Sequence, residues 1–244
     1  MRERAPLESA GDTQIVDERH GASSISARGV YSARMPNLTP DELLTTTRAV
    51  RRRLDFDRPV PREVLEECIA VALQAPSASN SQPWSFVVVA DSERKAAIAE
   101  WYVRAYDAYA DARSEAAGGR LDPATERMAA SARYLADRFA DVPAMVIPCV
   151  QGRIDQRSSD GQAAGWGSIV QAGWSFCLAA RARGLGTCWT TLHLAYEREV
   201  AEILGIPYDA VTQSALITTG YYTGVSFRPA PRGDLSDLIR WDRW

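Results

Sequence analysis

Histidine, the commonest metal ligand and general base, is scarce in this sequence. Only two of its 244 residues are histidines, His20 and His193, and neither lies at a metal-ligand spacing from a cysteine or from the other histidine. The sequence contains no G-x-S-x-G elbow and no G-x-x-x-x-G-K-S/T phosphate-binding loop. These absences argue against a metalloenzyme, a serine hydrolase of the elbow type and a P-loop kinase. We therefore predict no metal site and no catalytic acid–base pair.

Paired cysteines, long apolar runs and an excess of positive charge are also missing. The four cysteines are far apart and form no C-x-x-C pair, which is typical of reduced thiols in a cytoplasmic protein. No apolar run reaches transmembrane length, and the first residues lack the apolar core of a signal peptide. The net charge of −3 argues against a nucleic-acid-binding surface. We expect a cytoplasmic protein with neither a membrane nor a nucleic-acid partner.

The composition is that of an ordinary globular protein, with 46% apolar and 24% charged residues. Residues 1–38 are rich in Ser, Gly, Ala and charged residues without a sustained period, which predicts a partly disordered arm. Residues 39–244 are expected to form one domain. Its helical and strand patterns alternate, which indicates an α/β or α+β fold.

Several helix and strand signals stand out in residues 39–244. Thr39 is a predicted N-cap, as is Ser92, and Ala210–Tyr221 is predicted to be one strand. Two apolar stripes predict buried helix faces. Their members are Val64, Leu65, Cys68, Ile69, Ala72 and Leu73 in the first, and Ile169, Ala172, Gly173, Phe176, Ala179 and Ala180 in the second.

A polar loop, Ala75–Trp84, lies between the first of these helices and a predicted strand over residues 84–90. Two prolines fix φ locally and predict an extended loop. Its serines, Asn80 and Gln82 provide many hydrogen-bonding groups on rigid elements, which favours a ligand site. The same composition is also typical of a capped turn.

This stretch, A-P-S-x-x-N-x-Q-P-W-x-F-V-V-V, resembles the flavin-binding nitroreductase family. The resemblance extends from about Thr45 to the C-terminus. It implies an α+β fold in which helices wrap a central mixed or antiparallel sheet. It further implies an intertwined homodimer with FMN at the subunit interface. The loop residues that match the family's flavin contacts are Pro76, Ser77, Asn80 and Gln82.

Four arginines lie within six residues upstream of that loop. Guanidinium groups suit a phosphate dianion, although such a run can also be a solvated charge patch. The family pattern is R-x-S-x-R-x-F. Its best register places the two cations at Arg48 and Arg52, with Val50 in place of the serine. A register one residue earlier uses Ala49 for the serine and Arg51 for the second cation. Both registers lack the serine hydroxyl.

Two later segments also resemble family cofactor contacts. The segment 184–192 resembles the one that lies on the flavin ring, which implies Thr190 and Thr191 as flavin neighbours. The alternative role for its glycines is a helix-to-strand turn. The segment 228–235 resembles the family's phosphate-binding arginine segment, with Arg232 as the best match and Arg228 as the second choice. A surface tail is the alternative.

The resemblance implies an FMN-dependent oxidoreductase. NADH or NADPH would deliver hydride to flavin N5 and leave, and a small electron acceptor, such as a nitroaromatic compound or a quinone, would then take the electrons. Two alternatives stay open. One is a flavin oxidase, dehydrogenase or dehalogenase that acts on a specific metabolite. The other is a flavin-binding protein without turnover. Arg113 is expected at the end of a surface helix, away from the cofactor.

Overall fold

The structure is a computed structural model that describes residues 37–118, 120–225 and 227–244. The predicted arm at residues 1–38 therefore lies almost entirely outside the described residues. The helices are α1 (Pro40–Thr46), α2 (Arg62–Ala72), α3 (Ser92–Ala116), α4 (Pro123–Asp137), α5 (Ser159–Ala182) and α6 (Glu197–Leu204). The strands are β1 (Trp84–Val89), β2 (Ala144–Gln151), β3 (Leu185–Thr190), β4 (Val211–Gln213) and β5 (Leu216–Tyr221).

The strands form one antiparallel sheet in the order β1-β2-β5-β3, and β4 pairs with β2. Helices and strands thus combine in an α+β fold, which confirms the predicted class. None of the helices within the described residues is long and apolar enough to cross a membrane.

The predicted strand over Ala210–Tyr221 is wrong, because the structure divides it into β4 and β5. The division lies opposite Pro148, in the middle of β2. A proline has no backbone N–H to donate to a neighbouring strand. Ser214 turns there and donates both its backbone N–H and its hydroxyl to the Pro148 carbonyl, at 2.9 Å and 2.7 Å. β2 therefore pairs with β4 on one side of the proline and with β5 on the other.

Successive side chains of β2 belong to two different core layers, because a strand directs them to alternate faces. Ala144 and Val146 pack with α2 and α5, whereas Met145 and Ile147 pack with α3. The predicted stripes are largely confirmed, although Leu73 is 40% exposed. The buried members are Val64, Leu65, Cys68 and Ala72 on α2, and Ile169, Ala172, Gly173, Phe176, Ala179 and Ala180 on α5.

The helix starts follow the capping rules, with one correction. Thr39 caps α1 as predicted, in a capping box whose other partner is Glu42. Ser92 is not a cap. The carboxylate of the preceding Asp91 accepts from the Arg94 N–H at 2.9 Å and begins α3 one residue earlier than predicted.

His193 is completely buried in the short 3-10 helix Leu192–Tyr196, between β3 and α6. Neither ring nitrogen has a hydrogen-bond partner among the described residues. Burial lowers the pKa of His193 to about 3. His193 therefore stays neutral in the folded protein at pH values below about 6.5, where it is protonated in the unfolded chain.

This buried imidazole predicts a specific loss of stability in acid. The stability that neutral His193 provides is present above about pH 6.5 and is lost as pH falls toward about 3. When the pH is lowered from 8 to 5, His193 should cost the parent about 2 kcal/mol of unfolding free energy. His193→Leu should not show this loss. Urea denaturation at both pH values measures the difference. An equal dependence on pH in both proteins would contradict the prediction.

Candidate functional site

The arginine-rich segment is fixed to the edge strand β3. Ala49 bridges Thr187 in parallel, and the Val50 N–H donates to the Thr187 carbonyl at 2.8 Å. The Val50 side chain, only 4% exposed, packs directly on Gly186. A Cβ on Gly186 would lie 2.9 Å from the Val50 Cβ, so only glycine permits this approach. Val50 is therefore the packing residue that holds the arginines on either side of it.

Beside the end of β3 opens a cavity of about 280 Å³. It brings together three of the residues predicted from the sequence, Arg51, Thr190 and Thr191. Tyr102 and Tyr106 of α3 form part of its wall. Among the described residues that line the cavity none is an aspartate or a glutamate, so Arg51 gives it a positive potential.

Two ionisable side chains that line this cavity, Tyr102 and Cys188, are neutral near pH 7. Burial raises the pKa of Tyr102 to about 12, and the Thr190 hydroxyl donates to the Tyr102 oxygen at 3.4 Å. Burial also raises the pKa of Cys188, although the neighbouring Arg51 opposes the shift. Cys188 therefore stays a thiol, and the Arg51 charge is not neutralised by a thiolate.

The remaining predicted cations lie elsewhere. Arg48 reaches the C-terminal segment, where its guanidinium donates to the Arg228 carbonyl at 2.9 Å. This contact joins two predicted site residues that are 180 positions apart. Arg52 is exposed and lies over the Tyr134 ring at 6.0 Å. Arg232 is exposed on the tail. Arg51 thus lines the cavity and Arg48 contacts the C-terminal segment, a pair that belongs to neither predicted register.

The polar loop is not extended as its prolines predicted. It forms a 3-10 turn, Ala78–Asn80, in which Ser79 has a φ of 52°. Asn80 and Gln82 are also left-handed, with φ values of 52° and 46°. Such backbone is costly for residues other than glycine and is found preferentially at functional sites. Both amide side chains are exposed and are 3.3 Å apart.

Two serines hold this strained loop in place. The Ser77 hydroxyl accepts from the Gln82 N–H at 3.0 Å, and the Ser168 hydroxyl of α5 accepts from the Ala78 N–H at 3.0 Å. Pro76 and Ser77 line a second cavity, of about 240 Å³, against the outer face of α5. That cavity shares no lining residue with the Arg51 cavity. One copy of the chain thus presents two separate groups of predicted cofactor contacts.

Sequence reasoning missed the tyrosines of α3. Tyr102, Tyr106 and Tyr109 recur at i, i+4 and i+7, which places them on one helix face, and all three line the Arg51 cavity. That spacing was readable in the sequence. Ser168 and Gln171, which α5 adds to the second cavity, had no comparable signal.

Metal-binding geometry and disulfides are both absent from the described residues. No group of three or more His, Cys, Asp or Glu side chains could hold a metal ion there. All four cysteines are buried and unpaired.

The chain resembles several known proteins. The profile of the Nitroreductase family matches residues 44–221. A protein called NADH dehydrogenase from Thermus thermophilus is 31% identical over 226 residues, which cover 86% of this chain and 98% of that protein. A 5,6-dimethylbenzimidazole synthase from Rhodospirillum rubrum is 34% identical over 138 residues, which cover 55% of this chain and 61% of that protein. A crystal structure of oxidised iodotyrosine deiodinase bound to FMN and 3-iodo-L-tyrosine has a TM-score of 0.63 at 20% identity, covering 84% of this chain and 99% of that one.

These matches and the antiparallel α+β architecture define a nitroreductase-like fold. The chain belongs to the Nitroreductase family.

The placement of the arginines makes a prediction about FMN binding. Arg51→Ala should raise the dissociation constant for FMN about tenfold or more, because it removes the cation of the cavity. Arg52→Ala removes the same charge one residue away from an exposed position and should have little effect. Fluorescence titration of the apo-variants at fixed salt measures both constants. The reverse order would support the register with Arg48 and Arg52.

Proposed function

We propose that the chain is an FMN-dependent oxidoreductase that takes electrons from NADH or NADPH and passes them to a small acceptor. The main support for this proposal is that Arg51, Thr190 and Thr191 line the same cavity. Family membership supports the same assignment. When bound, the flavin supplies hydride-acceptor and hydride-donor chemistry, which no side chain of this cavity can supply by itself.

The residues present fit a flavin. Arg51 is half-buried, and no carboxylate of the described residues forms an ion pair with it, so it suits the negative charge that a reduced flavin ring carries. Thr190 and Thr191 place hydroxyl and backbone groups beside that cation. Arg48 and Arg228, which meet at the start of the tail, are suited to the phosphate group. The amides of Asn80 and Gln82 would pair with the ribityl chain or the ring edge.

We further propose that two copies of the chain complete each cofactor site. The Pro76–Ser77 cavity lies on the α5 face, which also exposes Val170 at 45% and Trp174 at 40%. Further apolar side chains are exposed on the C-terminal tail, where Leu238 is 70% and Trp241 is 81% exposed. Exposed apolar surface of this kind is typical of an interface. A second copy that covers it would bring the loop of one subunit to the Arg51 cavity of the other.

The decisive experiment measures the release, reduction and reoxidation of the bound flavin. Purified protein should be yellow, should release FMN on denaturation, and should lose its absorbance near 450 nm (roughly the flavin maximum) when NADH or NADPH is added without oxygen. A nitroaromatic compound or quinone should then restore the colour. A protein that neither holds nor binds FMN would overturn the proposal. A flavin that only a metabolite reduces would favour a metabolite-specific enzyme, as the names of two relatives suggest. A flavin that no reductant bleaches would favour a binding protein.

A mixed dimer tests whether the site is shared. Arg51→Ala removes the cation from one cavity, and Ala78→Trp fills the other cavity, whose lining includes the exposed Ala78. Each variant alone should bind FMN about tenfold or more weakly than the parent. A mixed dimer has one intact and one doubly damaged site, so equal mixing should restore about a quarter of the sites, with the subunits exchanging freely. Sedimentation verifies that each variant still dimerises. No recovery from verified mixed dimers would contradict a shared site.

A further inference from the structure

A third, smaller cavity of about 70 Å³ adjoins the Arg51 cavity between α3 and α4. The two share four lining residues, Tyr106, Tyr109, Met128 and Ala132. Together they form one recess that leads from the end of β3 into the α3–α4 pair. Aromatic rings and the flexible Met128 thioether line the middle of it, and such surfaces suit a flat aromatic molecule.

Arg113 lies at the far end of this recess, in the last turn of α3. It is half-buried there, which corrects the expectation of a solvated surface position. Its guanidinium donates to the Tyr109 hydroxyl at 2.9 Å, so the wall of the recess orients it. No carboxylate of the described residues forms an ion pair with Arg113.

The charges along the recess are all of one sign. Arg51 lies at one end and Arg113 at the other, and the described residues that line both parts include no aspartate or glutamate. Under the proposed function, Arg51 meets the flavin. Arg113 is then a cation that no carboxylate of the described residues neutralises, at the end of an otherwise mainly neutral, aromatic channel.

We propose that the α3–α4 recess receives an aromatic electron acceptor and that Arg113 selects acceptors with a carboxylate at the far end. This inference rests on the proposed function. The carboxylate would accept hydrogen bonds from the Arg113 guanidinium while the ring packs between Tyr106 and Met128. Arg113 thus determines specificity and takes no part in electron transfer. A purely structural role is the alternative, since a cation in the last turn also stabilises a helix.

The test compares two isosteric ligands that cannot be reduced, 2-naphthoate and 2-naphthamide, by calorimetry on the oxidised FMN-bound protein. The parent should bind 2-naphthoate more tightly. Arg113→Gln should weaken 2-naphthoate binding about tenfold and change 2-naphthamide binding by less than about twofold. Arg113→Lys should retain most of the preference. Arg127→Gln is the matched control, because Arg127 is exposed on α4 and lines neither cavity.

Kinetics with 4-nitrobenzoate and 4-nitrobenzamide give a second readout. Arg113→Gln should raise KM for the nitrobenzoate alone, with kcat and anaerobic reduction by NADH unchanged. The inference is overturned if the parent has no preference, if Arg113→Gln weakens both ligands equally, or if Arg127→Gln has the same effect. The inference would also be overturned if the effect of Arg113→Gln appeared only with NADPH as the electron donor and not with NADH. Arg113 would then bind the electron donor. Failure of FMN binding in the parent would instead count against the proposed function, while calorimetry on the apo-protein would still test the charge preference.

Discussion

The contact between Val50 and Gly186 is the constraint on which the site depends. Because Gly186 has no side chain, the Val50 side chain packs directly on its backbone and the arginine-rich segment lies close against β3. Arg51 then turns into the cavity beside Thr190, and Arg48 reaches the C-terminal segment. A larger residue at position 186 would push the segment away from the strand, because its Cβ would lie only 2.9 Å from the Val50 Cβ. The positions of Arg48 and Arg51 thus depend on one interior contact that bears no charge.

Backbone strain and exposed apolar surface occur on the same side of the chain as the polar loop. Ser77 and Ser168 fix three left-handed residues that have no glycine among them, and α5 next to them leaves Trp174 partly exposed. Neither feature has an evident use in a single subunit. Both are explained if that surface is an interface whose partner supplies the cationic part of the site.

The sequence predicted what depends on local pattern and failed where distant residues decide. The stripes of α2 and α5 and the Thr39 cap are periodic or local signals, and they were confirmed. The division of the last strand depends on Pro148, 66 positions before Ser214, and no local pattern in the last strand reveals it. The placement of the arginines is similar. Spacing alone could not say whether Arg51 or Arg52 lines the cavity, because that depends on which side chain packs on Gly186. The tyrosine stripe of α3 was visible, but only the cavity gave it a role.

The buried cysteines have a practical consequence. Their exposures range from 0% to 2%, even for Cys188 at the floor of the cavity, and burial raises the pKa of both Cys68 and Cys149 to about 12. Alkylating reagents attack the thiolate, so the native chain should be nearly inert to them. Each thiol becomes reactive only when its layer of the core opens. Because Cys68 and Cys177 belong to the α2–α5 layer while Cys149 and Cys188 belong to the α3 layer, the order in which they are alkylated would record which layer opens first.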